Sequence, residues 1–402
     1  MLTLAEALER LAAAVGPLDA PETVSTFDAF GRILADEVRS ALDVPPADNT
    51  AMDGYALRCA DVPAEGAVLP VSQRIPAGQV PSALKPGTAA RIFTGAQIPE
   101  GADAVVMQEL CEALDGAVRI NTMPANGQHI RRLGEDVREG AVVLSAGERL
   151  TPQAMGLAAS VGIARLKVAR RPKVALFSTG DELVMPGEPL KPGAIYNSNR
   201  FMLRGLIQAL GCDCTDLGIV PDKLDATRDA LRRAAQGADL IITSGGVSVG
   251  EEDHLKPAVQ AEGTLELWQI ALKPGKPLAF GHVKRPDGTS AAFIGLPGNP
   301  VSSFVTFLLT VRPVLLRLQG AKDIEPRSVE LRADFDWPRA DKREEFLRAK
   351  VNAQGGLDLF PNQGSGVLTS AVWADGLVAN PPGRPIARGD VVRFLPFPEL
   401  MR

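Results

Sequence analysis

Leu4, Leu8, Leu11 and Val15 recur at helical spacing, and Thr3 and Glu6 ahead of them have the separation of a capping box, so a helix is predicted over 3–15. A second helix is expected at 28–37, before Pro45 and Pro46 break the pattern. From Gly66 to Asp136 the rhythm changes to short β-rich runs at 68–71, 89–93, 104–107 and 118–120, separated by Gly and Pro, which describes a small β domain. Helical character returns at 151–163, with Thr151 and Pro152 suited to the N-cap and first-turn positions. Packing of this helix with the N-terminal ones is expected, giving a discontinuous helical domain (1–42 and 140–170) into which a β-rich domain (43–139) is inserted.

After Arg170-Arg171-Pro172 an alternating β/α pattern begins. A strand at 174–177 is followed by a helix at 198–210, whose Leu203, Leu206, Ile207 and Leu210 form one face and which Gly211 terminates. A strand at 216–220 and a helix at 225–236 lead to the apolar run Leu240-Ile241-Ile242, which has no helical period and suits a buried strand. Further strands precede a long helix to Leu318, with Asn299 as N-cap and Pro300 as its first residue. The expectation is a three-layer α/β domain at 171–320. Runs at 329–337, 345–351, 356–360, 366–371, 377–379 and 391–395 then read as strands of a β-barrel-like C-terminal domain, 321–402.

Composition narrows the function. With 402 residues, 45% of them hydrophobic, the chain can build several cores. A net charge of −5 with both signs interspersed and few aromatic residues excludes a nucleic-acid surface or a membrane-binding stripe. The most apolar stretch, 304–318, is interrupted by Thr306, Thr310, Arg312, Pro313 and Arg317, and the N-terminus has no basic region followed by an apolar core, so a cytoplasmic protein is expected. Cys59, Cys111, Cys212 and Cys214 form no CxxC pair and read as reduced packing thiols; three scattered histidines exclude a zinc cluster. Any metal should therefore be oxygen-ligated.

The densest chemistry lies at 239–256, where the apolar strand runs into Ser244, Gly245, Gly246, Ser248 and Gly250 and then Glu251, Glu252 and Asp253. Small residues let backbone N–H groups approach an oxyanion, and the adjoining carboxylates suit a hard cation such as Mg2+ bridged to a phosphate. A plain polar loop is the alternative. A second such end, Ser178-Thr179-Gly180-Asp181-Glu182, follows the first strand of the same domain. Because ligands sit at the carboxyl ends of parallel strands, Asp181, Glu182, Ser248, Asp253 and the Asn299 turn are expected to line one crevice. Lys273-Pro274-Gly275-Lys276-Pro277 adds two lysines fixed by prolines, which suits anions or a solvated turn. The loop 48–56, with Asp53 among small residues, reads as an Asx-type turn or a ligand-facing loop, of which spacing alone favours the turn; the charges of 131–136 read as a solvated cluster, and Arg348 and the loop 362–366 as within reach of a ligand.

From Leu4 to Phe397 the chain resembles the molybdopterin molybdenumtransferase family, and it keeps that family's motif order: NTAMDGYA, RIFTGAQIPEGADAVVMQE, RRLGEDV, STGDEL, SGGVSVGEED, KPGKP and LPGNPVSS. The resemblance implies an α/β domain of molybdopterin-binding type facing the β domain of a partner across the cleft of an elongated homodimer. It implies a reaction in which adenylylated molybdopterin and molybdate, with Mg2+, give molybdenum cofactor and AMP. Motif by motif, it assigns Asp181, Glu182, Asp222 and Asp253 to Mg2+ and nucleotide handling, with Asp53, Thr94 and Asp136 contributed across the interface. It assigns Lys273, Lys276, Ser248, Arg348 and Ser365 to molybdate, and Gly180, Ser244, Gly245, Gly246, Pro277, Gly298 and Asn299 to the lining of the substrate site. Transient contact with a molybdopterin adenylyltransferase, and with molybdoenzyme targets or their chaperones, is also implied. One departure stands out: Gln269 occupies a position that is commonly basic in the family, which puts the strength of oxyanion binding in question.

Two other functions compete. The same α/β domain type occurs in molybdopterin adenylyltransferases, but the additional β and helical domains argue against that activity. Related domains also serve as non-catalytic scaffolds, and fold alone never proves turnover. Retention of Asp53, Asp181, Glu182, Asp253, Lys273 and Lys276 favours the transferase.

Overall fold

The computed structural model describes residues 1–246 and 254–402, apart from the side chain of Leu267. Its first helix, Leu4–Ala14, carries the complete capping box: the Thr3 hydroxyl accepts from the Glu6 N–H at 3.2 Å, and the Glu6 carboxylate accepts from the Thr3 N–H at 2.7 Å. Ala7, Leu11 and Val15 on its inner face join the same core as Leu308, Val314 and Phe346. This helix therefore packs on the end of the α/β domain. The expected pairing with the helix at 151–163 is not what forms: that element, Pro152–Ser160, packs on the Thr26–Asp28 turn and the Val142–Leu144 strand, around Ala29, Leu34, Leu144, Ala158 and Val168.

The helix expected at 28–37 is also replaced. Thr26–Asp28 is a single 3-10 turn, Gly31 takes φ 74°, and Ile33 and Leu34 then pair across to Arg149 and Val168. A left-handed glycine stops a helix from propagating, and pairing with the strand Arg165–Val168, itself antiparallel to Glu22–Ser25, recruits the apolar residues beyond it. The inserted β domain is a six-stranded sheet in the order Ala104–Met107, Gly54–Leu57, Ala89–Ile92, Ala67–Ile75, Ala117–Ile120 and Cys111–Leu114. Apolar clusters around Tyr55 and Leu57 on one face and Ala56 and Ile92 on the other sandwich it.

The α/β domain is built on a six-stranded sheet in the order Asp213–Val220, Lys173–Thr179, Leu240–Ser244, Ser290–Leu296, Pro277–Lys284 and Gly263–Gln269. The first four strands are mutually parallel and the last two antiparallel. Val174, Leu176, Leu240 and Ile242 face the helices Ser198–Ala209 and Pro300–Leu318, while Ala175, Phe177 and Ile241 face Leu224–Ala235 and Leu255–Glu262. Burial on both faces explains the unbroken apolar runs. The helix Pro300–Leu318 is long and apolar enough to cross a membrane, yet 89% of its most apolar stretch is buried inside the protein. It relaxes into a π turn at Phe307–Val311, just before Pro313, which has no N–H to give to the carbonyl four residues back.

The C-terminal sheet runs Leu272–Lys273, Glu344–Val351, Gly376–Asn380, Val391–Pro396 and Val329–Arg332, with Leu357–Leu359 beside the second strand. A bridge from Ala333 to Leu357 brings the last strand of that path back toward Leu357–Leu359, which curls the sheet toward a barrel. The strand expected at 366–371 is instead the helix Leu368–Trp373: Ser370 is buried, donating to the Val367 carbonyl and accepting from Arg348, so tertiary contact overrides the local preference. Phe346, Leu377, Leu395 and Phe397 share one core with the α/β helices, so the two units are continuous in packing.

Arg170 at the domain boundary fixes where the central strands begin. Its guanidinium donates to both carboxylate oxygens of Asp239 at 2.8 and 2.7 Å, and Asp239 also accepts from the Lys173 N–H at 2.8 Å. Burial alone would raise the Asp239 carboxyl, but these hydrogen bonds overcome it and hold the group below its ordinary value. A carboxyl depressed on folding stabilises the protein above its unfolded pKa and loses that contribution as pH falls through the folded value. Asp239→Asn should therefore cost about 1–2 kcal/mol at pH 7 in urea unfolding, and the gap to the parent should close as pH falls below about 4.

Candidate active site

Register brings four loops to one edge of the central sheet. Ser178 pairs with Ser244, Ser244 with Leu296, and Thr179 with Val220, so the four parallel strands end at one level. Gly180-Asp181-Glu182, Pro221-Asp222, Gly245-Gly246 and Pro297-Gly298-Asn299 leave from those ends side by side. Gly245 donates its N–H to the Leu296 carbonyl at 3.1 Å and has φ 96°; a Cβ there would stand 2.7 Å from the Thr179 carbonyl oxygen, so only glycine fits between the two strand ends. Asp181 and Asp222 meet across the next pair of strands, where the Asp222 N–H donates to Asp181 Oδ1 at 3.3 Å. The Glu182 carboxylate folds back over Gly180.

Asp181 and Glu182 are exposed and Asp222 is half-buried. Among the described residues no three His, Cys, Asp or Glu side chains converge as a ready ligand set. Mg2+ is commonly held by one or two carboxylates with substrate phosphates completing its shell, and the adjoining Asp181 and Asp222 suit that kind of site. Ser248 and Asp253 lie outside the described residues. Asn299 occupies the cap position of the helix that follows with φ −66° and ψ 131°, but its side chain makes no capping bond. The Val301 N–H instead donates to the Ser365 carbonyl at 2.9 Å, which brings the loop 362–366 of the C-terminal domain onto this edge.

Arg348 is buried beneath that loop. Its guanidinium donates to Ser370 Oγ at 3.1 Å, the Phe346 carbonyl at 3.2 Å and the Gly364 carbonyl at 3.3 Å, and Gln363 bonds its backbone on both sides. Burial pushes it down to about 10, so it remains cationic at neutral pH, with no carboxylate partner among the described residues. It thus holds the loop from below. Lys273, expected to offer a free ammonium, is spent on carboxylates: Nζ lies 3.0 Å from fully buried Glu345 and 3.4 Å from Asp341. Lys276 and Gln269 are exposed, and Pro277 pairs with Gln269 in the sheet.

Family models for the MoeA N-terminal region (domain I and II), a probable molybdopterin binding domain and the MoeA C-terminal region (domain IV) match residues 2–162, 175–317 and 330–397. The chain is 40% identical to a molybdopterin molybdenumtransferase of Haemophilus influenzae over the whole of both chains. The chain belongs to the molybdopterin molybdenumtransferase family. A second member, from a Nostoc species, is 39% identical over 94% of this chain and 89% of its own. The solved molybdopterin biosynthesis moeA protein of Pyrococcus horikoshii OT3 superposes with a TM-score of 0.86 at 30% identity, covering 98% of this chain and all of its own.

The motifs of the molybdopterin molybdenumtransferases also meet in the β domain. Thr94 gives both its backbone N–H (2.8 Å) and its hydroxyl (2.7 Å) to Asp53 Oδ1, which holds the Asp53 carboxyl below the ordinary range. The Asx-type turn expected in that loop is not what forms: Asp53 reaches across to Thr94, the local turn bond is the Met52 N–H on Thr50 Oγ1 at 3.1 Å, and the second oxygen of Asp53 stays outside the Thr94 pair. Asp136 is exposed, and Arg132 beside it pairs with Asp48 at 2.7 Å on the surface.

Three participants were not singled out from the sequence. Glu345 and Asp341 lie some seventy residues beyond the lysine they bind, and Asn199 in Asn197-Ser198-Asn199 is indistinguishable by pattern from ordinary helix-start chemistry. Replacing Lys273 with Met should leave Glu345 buried without a cation, although Trp337 Nε1 (2.8 Å), the Asp341 N–H (3.1 Å) and Asn380 (3.4 Å) still donate to it. That remaining support puts the cost at about 2 kcal/mol, below the usual range for a broken buried pair. Urea unfolding should also show that adding Glu345→Gln to Lys273→Met recovers most of the loss.

Proposed function

We propose that the protein inserts molybdenum into molybdopterin, taking adenylylated molybdopterin and molybdate and releasing molybdenum cofactor and AMP. The observation that carries this reading is the convergence of four parallel strand ends, with carboxylates on one pair of loops and glycine backbone on the other. The phosphates of the adenylylated substrate lie along this edge, against the backbone N–H groups around Gly245 and the start of the helix at Pro300. Asp181 and Asp222, with Glu182 alongside, would hold Mg2+, and the ion would supply positive charge to offset that of the substrate phosphates. Molybdate sits toward the C-terminal domain, where buried Arg348 supplies positive potential, Ser365 and its loop supply hydrogen bonds, and exposed Lys276 supplies a direct cation.

The working unit is a homodimer in the cytoplasm, with the Asp53–Thr94 pair and Asp136 of one protomer completing the site of its partner. A half-buried carboxylate already oriented by two donors supports that role, because it has acceptor capacity left for a ligand. Product and substrate pass to and from other cofactor-assembly proteins by transient contact.

Purified protein given adenylylated molybdopterin and Mg2+ should release AMP in a molybdate-dependent manner. Asp181→Asn and Asp222→Asn should each lower that release at least tenfold while leaving the melting temperature within a few degrees. AMP release that ignores molybdate, or that survives the double variant, would overturn the proposal.

A further inference from the structure

Beneath the strand ends lies a buried polar layer. Asn199, in the first turn of the helix Ser198–Ala209, is 8% exposed and gives both N–H groups of its amide away: to Ser244 Oγ at 2.7 Å and to the Gly298 carbonyl at 2.7 Å. A carbonyl can only accept, so the orientation of this amide is fixed by chemistry, with nitrogen toward Gly298. The helix turn is itself held, because Asn197 caps the Arg200 N–H through its side chain. Ser244 Oγ is the acceptor in this bond, which leaves its hydroxyl proton free to point elsewhere.

One side chain therefore ties together a helix and the two loops expected to hold phosphate, the one after Leu240–Ser244 and the one after Ser290–Leu296. The tie is reinforced by the Gly245 N–H on the Leu296 carbonyl, and a Cβ on Gly298 would lie 3.9 Å from the Gly245 Cα. Nothing else among the described residues bonds the Asn199 carbonyl oxygen, and Ser178 Oγ and Ser303 Oγ are buried and unpartnered as well.

We infer that Asn199 is a positioning residue for the phosphate-bearing half of the substrate: it sets the spacing between the Gly245 and Gly298 loops without touching the ligand, and it has no part in holding molybdate. The inference rests on the transferase reading for the identity of the ligand, but its test does not need turnover. A carboxylate of the same shape cannot donate to the Gly298 carbonyl, and it repels it, so Asn199→Asp opens the two loops while preserving packing volume.

Equilibrium binding of AMP, measured by calorimetry on the full-length protein with Mg2+, should weaken about tenfold or more in Asn199→Asp and Asn199→Ala. In steady state the KM for adenylylated molybdopterin should rise by a similar factor while the KM for molybdate moves less than twofold. Ser244→Ala, which removes one of the two acceptors, should weaken AMP binding less than Asn199→Ala does. Ser303→Ala, in the same layer but outside the tie, should leave AMP affinity within twofold of the parent and shows what a merely structural change does. Unchanged AMP affinity in a folded Asn199→Ala protein would overturn the inference, as would equal losses for both substrates. If the parent binds AMP but never turns over, and Asn199→Ala still weakens that binding tenfold, the positioning role stands and the transferase reading falls.

Discussion

Parallel strands cannot be joined by a tight turn, so each must hand the chain to a crossover that returns it to the starting edge of the sheet. In this protein that requirement sends Ser198–Ala209 and Leu224–Ala235 to opposite faces and leaves every loop after a parallel strand on one edge. Asp181, Asp222, Gly245 and Gly298 meet for that reason, although more than one hundred residues separate the first from the last. The Arg170–Asp239 pair fixes the other ends of the two central strands, and with them the level at which the loops emerge.

The second unit at the site is the C-terminal sheet, and it is joined in two ways. Apolar packing makes one core of Phe304, Phe346, Leu395 and Phe397. Polar ties cross the same junction, with Lys273 on Glu345 and Asp341 and the Val301 N–H on the Ser365 carbonyl. Buried ion pairs add little net stability compared with apolar packing, but breaking one is costly, so they specify one arrangement of the two units. Arg348 is the complementary case: a buried cation whose partners among the described residues are all neutral, which leaves its field available to an anion above the 362–366 loop.

What the sequence made legible follows from how local each signal is. The capping box at Thr3 and Glu6 and the apolar runs of the central strands are short-range patterns, and each formed where expected. The segments at 28–37 and 366–371 were misread because their fate depends on distant partners: Arg149 and Val168 draw Ile33 and Leu34 into bridges, and Arg348 docks on Ser370 of the Leu368–Trp373 helix. The same limit applies at the site. Lysines flanked by prolines look like anion ligands in sequence, and only the fold reveals that Lys273 faces Glu345 across the domain junction while Lys276 stays exposed.

The most direct test of the account is to locate the ligand itself. Crystals soaked with AMP and Mn2+, standing in for Mg2+, should give an anomalous manganese peak beside Asp181 and Asp222 and phosphate density above Gly245 and Gly298. Manganese and phosphate bound elsewhere on the protein, with the carboxyl edge of the four parallel strands empty, would contradict the placement of the active site on which the whole reading rests.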